Sequence, residues 1–468
     1  MKRPAASEPE LKREYERLLG LVLVLCVLGA IWVYSASSSE QILKDGSNGT
    51  SFLIRYVLFA ALGFAGLAFA SRYGVAVIKK ITTPMLAISI VLCMAVVLPG
   101  IGKEVNGAYR WLGGGPLTFQ PSELAKFAMI AFLALRLSSR RRPMRTLGDL
   151  RIELLALGLL IAVVAGVQRD LGTAIVITGA AVCVLVVGGM PARFFLPIGA
   201  AGGVALLVLV AMHPYRIARL TSFLSPGSDA SGTGYQSLQG QLAIGTGGFT
   251  GTGLGNSVQK ADWLPEAHTD FILAVVGEEL GAIGIIMLLV LYAGVAYTGL
   301  RIADRTKGSY QKLLAVGITG VVLVQAMLNV WVVLGIFPLT GVPLPFISYG
   351  GTSLIVLLGA VGILLNIARG TPYLEVAPEP ELDGPPRGRA PRPARDARPR
   401  PVGGARRAPG PRPVRGPAPA FASAAERSDA RRAARASRSA GDAEDVRDRS
   451  RRDSGARGAR VGGRRRAS

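Results

Sequence analysis

The side chains in this 468-residue sequence that could move a proton or fix a strong charge fall in a few short stretches. Residues 264–272 read LPEAHTDFI and place Glu266, His268, Thr269 and Asp270 directly ahead of a long apolar run. One of only two histidines in the chain is here. A carboxylate at the end of an apolar span can stay ionised, whereas at a bilayer centre it would cost roughly 2.5–3.5 kcal/mol. At the interface Asp270 could stay ionised and face a lipid headgroup. The bland alternative is capping: Pro265 favours a turn, and Thr269 or Asp270 can cap the helix that follows. His268 and Asp270 are two apart and point to different faces, so they form no local dyad. In QPSELAK (120–126), Glu123 and Lys126 are three apart at a helix start, where an ion pair and a ligand contact both fit. NGAYRW (106–111) sets Arg110 beside Trp111. Its forked donors suit a phosphate or pyrophosphate, and snorkelling to a membrane surface fits equally.

Other stretches exclude chemistries. GGFTGTGLGNS (247–257) lacks the Gly-Lys-Ser/Thr of a nucleotide loop, and no strand precedes it. Its glycines allow tight turns and expose amides to anions. Cys26, Cys93 and Cys183 each lie in an apolar run, and no Cys/His cluster has metal-ligand spacing. Glu278 and Glu279 lie two turns into the apolar run and are expected to pair inside a bundle.

The elements that must position these residues are membrane spans. Half of the residues are apolar and they come in blocks, several near the roughly 18 residues needed to cross a bilayer. The fold expected is an all-α polytopic membrane protein with about ten spans. They fall near 18–36, 52–70, 84–101, 123–138, 152–167, 174–190, 195–212, 271–299, 312–336 and 352–368. Arg/Lys-rich stretches at 71–80, 138–151 and 301–312, with both basic termini, are cytoplasmic by the positive-inside rule. The alternate loops then face outward, including a large one, 213–270, between spans 7 and 8. Nearly all the unusual polar sequence falls on that outward side. Chemistry at the outer membrane surface follows more naturally than transport, which would put polar residues near the midplane.

Three regions result: a cytoplasmic N-terminus (1–17), a membrane domain (18–370) and a tail (371–468). The tail is rich in Arg, Pro, Ala and Gly and is expected to be disordered. It holds about half of the formal charge of +23. The membrane part is only moderately basic, so the charge does not indicate a nucleic-acid partner.

Taken in order, NGAYRW, QPSELAK, DLGTA, GYQSLQGQLAIGTGG, GLGNSVQK, LPEAHTDFI, GEELG and GVPLPFISYGG resemble the SEDS family (shape, elongation, division and sporulation) over residues 15–370. GLGNSVQK followed by LPEAHTD resembles the division branch more than the elongation branch, which more often has Arg at the position of Ala267. The resemblance implies a peptidoglycan glycosyltransferase of the bacterial cytoplasmic membrane, working at the septum. It would polymerise lipid II on the outer face beside a class B penicillin-binding protein and other division proteins. The family's essential aspartate falls on Asp270. Motif matching also carries over Arg110, Glu123 and Lys126, with Lys260, Glu266, His268 and Ser348 as further substrate contacts. A divalent cation, Mg or Mn, is implied, and no organic cofactor. One departure is Arg169, where the family commonly has Pro before Asp-Leu-Gly. A neutral loop variant and an extra phosphate contact both fit.

Polymerisation needs a sugar hydroxyl to attack an anomeric carbon that bears a pyrophosphate, so a base and cations are required. Asp270 is the expected base. Arg110 and Lys126, with Lys260 or Arg216, are the expected cations. Conversion of an α-linked donor to a β-linked product needs one inversion and no covalent nucleophile. The rivals are a lipid II flippase, which would translocate without making polymer, an elongation-type polymerase, and a non-catalytic scaffold.

Overall fold

A computed structural model describes residues 8–45, 48–105, 108–113, 118–140, 144–212, 214–224, 234–261 and 263–370. The tail 371–468 and the first seven residues lie outside these, and with them the expectation of a disordered tail.

The described chain is helical almost throughout. In order come α1 (Glu8–Asp45), α2 (Ser51–Ala95), β1 (Gly102–Val105), β2 (Ala108–Leu112), α3 (Pro121–Ser138) and α4 (Arg151–Ile161). Then follow α5 (Leu171–Val187), α6 (Phe195–Ala211), α7 (Pro214–Leu224), α8 (Tyr235–Gly247), α9 (Ile272–Arg305), α10 (Ser309–Val333) and α11 (Gly351–Ala368). Seven helical segments among the described residues are long and apolar enough to cross a membrane, and α5 is a shorter apolar one. The multi-pass membrane expectation therefore holds.

Burial separates an inner from an outer set of helices. Most residues of α3, α10 and α11 are buried. At the other extreme α6 buries nothing, and Leu196, Val204 and Leu207 are exposed. A helix apolar all round with no buried face is at home only in lipid.

The span boundaries differ from expectation in one place. Residues 71–80, expected as a loop between two spans, are helical within the unbroken 45 residues of α2. A straight helix of that length would be roughly 70 Å long, over twice the hydrocarbon thickness. Its contacts show that it doubles back. Phe52, near its start, packs on His268, and Cys93, near its end, accepts a bond from the Gln168 side chain at 3.1 Å. Both contacts belong to the loops described below. The middle of α2 is tied to the opposite end of α11, where Asn366 accepts from the Val75 amide and donates to the Ser71 carbonyl. Pro84 lies inside α2 and withholds an amide from its ladder. The residues on both sides of this reversal are helical.

Two further differences lie in the loops. The stretch 102–112 forms an antiparallel hairpin in an otherwise all-α fold. The large loop after α6 contains α7 and α8, and α8 packs on α9.

Candidate functional site

The hairpin carries Arg110. Its register pairs Lys103 with Trp111 and Glu104 with Tyr109, so Arg110 has no partner opposite and is the extra residue of a β-bulge. A bulge re-aims a side chain that regular pairing would place on the strand's face. The Tyr109 amide donates to the Gln168 carbonyl at 3.2 Å, which ties the hairpin to the loop before α5. There Asp170 meets the guanidinium, with Arg110 Nε 3.5 Å from Asp170 Oδ2. Asp170 also caps α5, accepting from the Thr173 amide at 3.1 Å and its hydroxyl at 2.8 Å. The Gln120 side chain joins the same carboxylate at 3.5 Å.

Asp270 stands on the other side of Arg110. Asn329 on α10 donates to the Asp270 carbonyl at 2.7 Å and to the Val342 carbonyl at 2.8 Å. One buried amide therefore fixes both the loop before α9 and the loop before α11. The second of these loops contains Gly341, at φ +70. A Cβ there would lie 3.1 Å from Arg110 Nη1 and 3.3 Å from Asp270 Oδ2. Both charged groups thus touch one empty position that only glycine leaves open. Burial is the main influence on the Asp270 carboxyl and raises its proton affinity. The bond from Thr269 lowers it, the nearby Glu266 raises it, and Arg110 lowers it.

The Glu123–Lys126 pair is real and almost wholly buried, at 2.8 Å with side chains 2% and 1% exposed. Lys126 also donates to Gln325 at 2.9 Å, and the Gln325 amide donates to the Pro343 carbonyl at 3.0 Å. The pair therefore anchors the loop that holds Gly341. Glu123 Oε2 and Arg110 Nε are buried without a hydrogen-bond partner, although Nε lies within the ion pair with Asp170.

Of the remaining expected residues, Lys260, Arg216, Ser348 and His268 make contacts within the scaffold. Lys260 donates to Glu279 at 2.9 Å, Ser35 at 2.9 Å and the Gly255 carbonyl at 2.8 Å, which spends all three of its ammonium donors. Arg216 donates to the carbonyls of Leu209 and Ala165, not towards Asp270. Ser348 accepts from the Leu344 amide at 2.8 Å inside a buried turn. The His268 ring packs on Phe52, with centroids 4.4 Å apart, and its carbonyl accepts from the Tyr349 amide. Exposed Glu266 accepts from the Thr269 hydroxyl at 2.8 Å, at a backbone φ of 56.

The glycine-rich loop has an internal use for its amides. Glu278 accepts from the Ser257 hydroxyl at 2.5 Å and from the Val258 and Gln259 amides. Thr252 and Gly253 donate to the carbonyls of Glu278 and Glu279. Gly251 and Gly281 pack backbone against backbone, and α9 breaks at Gly281, φ 64. The anion these amides meet is thus the protein's own Glu278.

Sequence reasoning gave Asp170 and Gly341 no site role and noted Asn329 only as an intramembrane polar residue that would suit a flippase. Asp170 carried one signal, an Asp three residues before a Thr at a helix start, which reads as a cap. Its pairing with Arg110 spans 60 positions and has no local mark.

The family model described as "Cell cycle protein", covering FtsW, RodA and SpoVE, matches residues 16–373. A relative named "Probable peptidoglycan glycosyltransferase FtsW" from Trichlorobacter lovleyi is 38% identical over 78% of this chain and 95% of its own length. Stage V sporulation protein E of Bacillus subtilis is 38% identical over 76% of this chain and 97% of its own length. Among solved structures, one described as "Structural coordination of polymerization and crosslinking by a peptidoglycan synthase complex" aligns with a TM-score of 0.62 at 29% identity. It covers 75% of this chain and 96% of that one. Motif order, helical architecture and these matches over three quarters of the chain agree: the protein belongs to the FtsW/RodA/SpoVE family.

Proposed function

We propose that this chain is a peptidoglycan glycosyltransferase that polymerises lipid II at the outer face of the bacterial cytoplasmic membrane during division. The observation that carries this reading is the convergence of Arg110 and Asp270 on Gly341 at one end of an apolar bundle. Relatives bearing the glycosyltransferase name, matched over nearly their whole length, support it. In this reading α2 supplies two of ten crossings, both termini are cytoplasmic, and the hairpin and the loops before α5, α9 and α11 face outward.

Asp270 takes the proton of the acceptor hydroxyl as it attacks the anomeric carbon. A carboxylate whose proton affinity is raised by burial is a stronger base than an exposed one. Arg110 faces the departing pyrophosphate, where forked, charge-assisted donors meet developing charge. The unpartnered oxygen of buried Glu123 leaves capacity for one more hydrogen bond, which supports a contact to a sugar hydroxyl. One inversion converts the α-linked donor into a β-linked product, so no enzyme nucleophile is needed. An apolar cavity of about 250 Å³ suits the isoprenoid tail. It is lined by Leu124 and Phe127 of α3, the helix that carries Glu123.

Among the described residues no three His, Cys, Asp or Glu converge as a metal cage. Hard oxygen donors are nevertheless present, and a magnesium-like ion commonly takes one or two carboxylates with the rest from substrate phosphates. Asp270 and Glu266 fit such a shared site. A cation bound there would neutralise pyrophosphate charge.

The partner expected is a class B penicillin-binding protein, as the solved synthase complex couples polymerisation to crosslinking. The septal role rests on the FtsW-named relatives and the GLGNSVQK–LPEAHTD motif.

The test supplies the purified protein and its partner with labelled lipid II. Asp270→Asn should make no glycan strands while expressing and binding its partner normally. Normal polymerisation by that variant would remove Asp270 as the base. Flipping without polymer by the wild type would remove the glycosyltransferase reading.

A further inference from the structure

Arg169 lies between two pinned residues. On one side the Gln168 amide donates to Val163 at 2.9 Å and its side chain to Cys93 at 3.1 Å. On the other, the Asp170 amide donates to Val164 at 2.9 Å, and its carboxylate holds Arg110 and caps α5. The chain takes up the turn between these fixed points at Arg169, whose φ is 60. A long side chain is disfavoured in this left-handed region, and proline, locked near −65°, cannot enter it. Such strain persists where surrounding structure enforces it, and it concentrates at functional sites.

The side chain so placed is exposed, with its guanidinium 5.9 Å from the centroid of Tyr109, the residue before Arg110. Among the described residues it pairs with no carboxylate. Its charged surroundings are Arg110, Asp170, Glu104 through Tyr109, and buried Arg216, whose field includes both Arg169 and Asp170. Three guanidinium groups thus face two carboxylates. Arg216 is spent on backbone carbonyls and Arg110 is shared with Asp170, so the uncommitted positive charge is that of Arg169.

We propose that Arg169 is a second phosphate-binding guanidinium, gripping with Arg110 the pyrophosphate of the lipid-linked substrate. This rests on the glycosyltransferase reading. The chemistry is a forked arginine–phosphate contact, and a phospholipid headgroup is the other source of such an oxyanion at this depth. Arg169 binds and selects substrate and takes no part in proton transfer.

The experiment measures initial rates against lipid II concentration for wild type, Arg169→Asn, Arg169→Gly and Arg169→Lys in detergent free of phospholipid. The rates are then repeated in phosphatidylglycerol vesicles. Asn and Gly tolerate the left-handed backbone, so they remove the cation without refolding the loop. Expected is a KM for lipid II raised about tenfold in the Asn and Gly variants, with kcat within about twofold and partial rescue by Lys. An unchanged KM in detergent overturns the proposal. So does a change confined to vesicles, which would assign Arg169 to phospholipid. Absence of polymer from the wild type would instead defeat the underlying reading.

Discussion

Gly341→Ala puts the meeting of Arg110 and Asp270 to a sharp test. The substitution has two separable costs. Alanine at φ +70 pays for the left-handed backbone, roughly 1–2 kcal/mol of stability. Its methyl group also enters the space between Arg110 Nη1 and Asp270 Oδ2, at 3.1 and 3.3 Å. Contacts that close force each side chain to give by a few tenths of an ångström. A displacement of 1 Å costs catalysis about a hundredfold, so a shift of this size should cost on the order of tenfold. Gly189 supplies the control. It sits at φ +90 with nothing within 4 Å of its missing Cβ, so Gly189→Ala carries the backbone cost alone. Lipid II polymerisation would be followed by gel separation of labelled glycan strands, and stability by thermal unfolding in detergent. The two variants should lose similar stability, and only Gly341→Ala should lose rate. Equal rates at equal folded fraction would refute the idea that the two charged groups work across this glycine.

Other substitutions read the scaffold. Lys126→Met strands the buried Glu123 carboxylate and should cost about 3–5 kcal/mol, whereas the double change with Glu123→Gln should regain most of that in a thermal-unfolding comparison. The Lys260–Glu279 pair should behave alike: Lys260→Met loses stability, and Lys260→Met with Glu279→Gln recovers it while leaving the KM for lipid II unchanged. The raised Asp270 carboxyl sets the order of acid effects. As pH falls the base is protonated at a pH above the usual carboxylate range, so rate is lost first. A folded-state value above the unfolded one adds stability that is complete below the unfolded value and lost as pH rises through the folded one. Mild acid should therefore silence the enzyme reversibly, without lowering its unfolding midpoint.

The sequence exposes most of the architecture because apolar blocks and their spacing report lipid burial directly. It misses the helical turn of α2, since Arg72, Lys79 and Lys80 mark a membrane boundary without saying whether the backbone stays helical there. The hairpin is hidden for another reason. Five residues of AYRWL show no clean alternation, and the bulge at Arg110 erases what pattern remains. At the site, Glu123–Lys126 is legible because three residues on a helix fix the distance. Lys260 is not. Its partners Glu279 and Ser35 lie on other elements, so an outward lysine and a scaffold lysine look identical in the chain. Asp270 stands out among its neighbours only through family resemblance; what the fold adds is its shared boundary with Arg110.

That shared boundary raises the question of why an arginine should lie beside a general base at all. A guanidinium committed to Asp270 would stabilise its ionised form and weaken it as a base. The geometry divides Arg110 between two carboxylates, with Nε toward Asp170 and Nη1 at the Gly341 position beside Asp270. Asp170 thus draws off part of the field that Asp270 would otherwise feel, and burial keeps the upper hand there. Asp170→Asn isolates this effect. Asparagine can still cap α5 through its side-chain oxygen, so the loop should persist while the countercharge vanishes. Arg110 then acts on Asp270 alone, and the acid limb of the rate profile should move to lower pH, with a lower plateau rate. An acid limb that stays in place in a folded Asp170→Asn protein would show that Asp170 is only a helix cap.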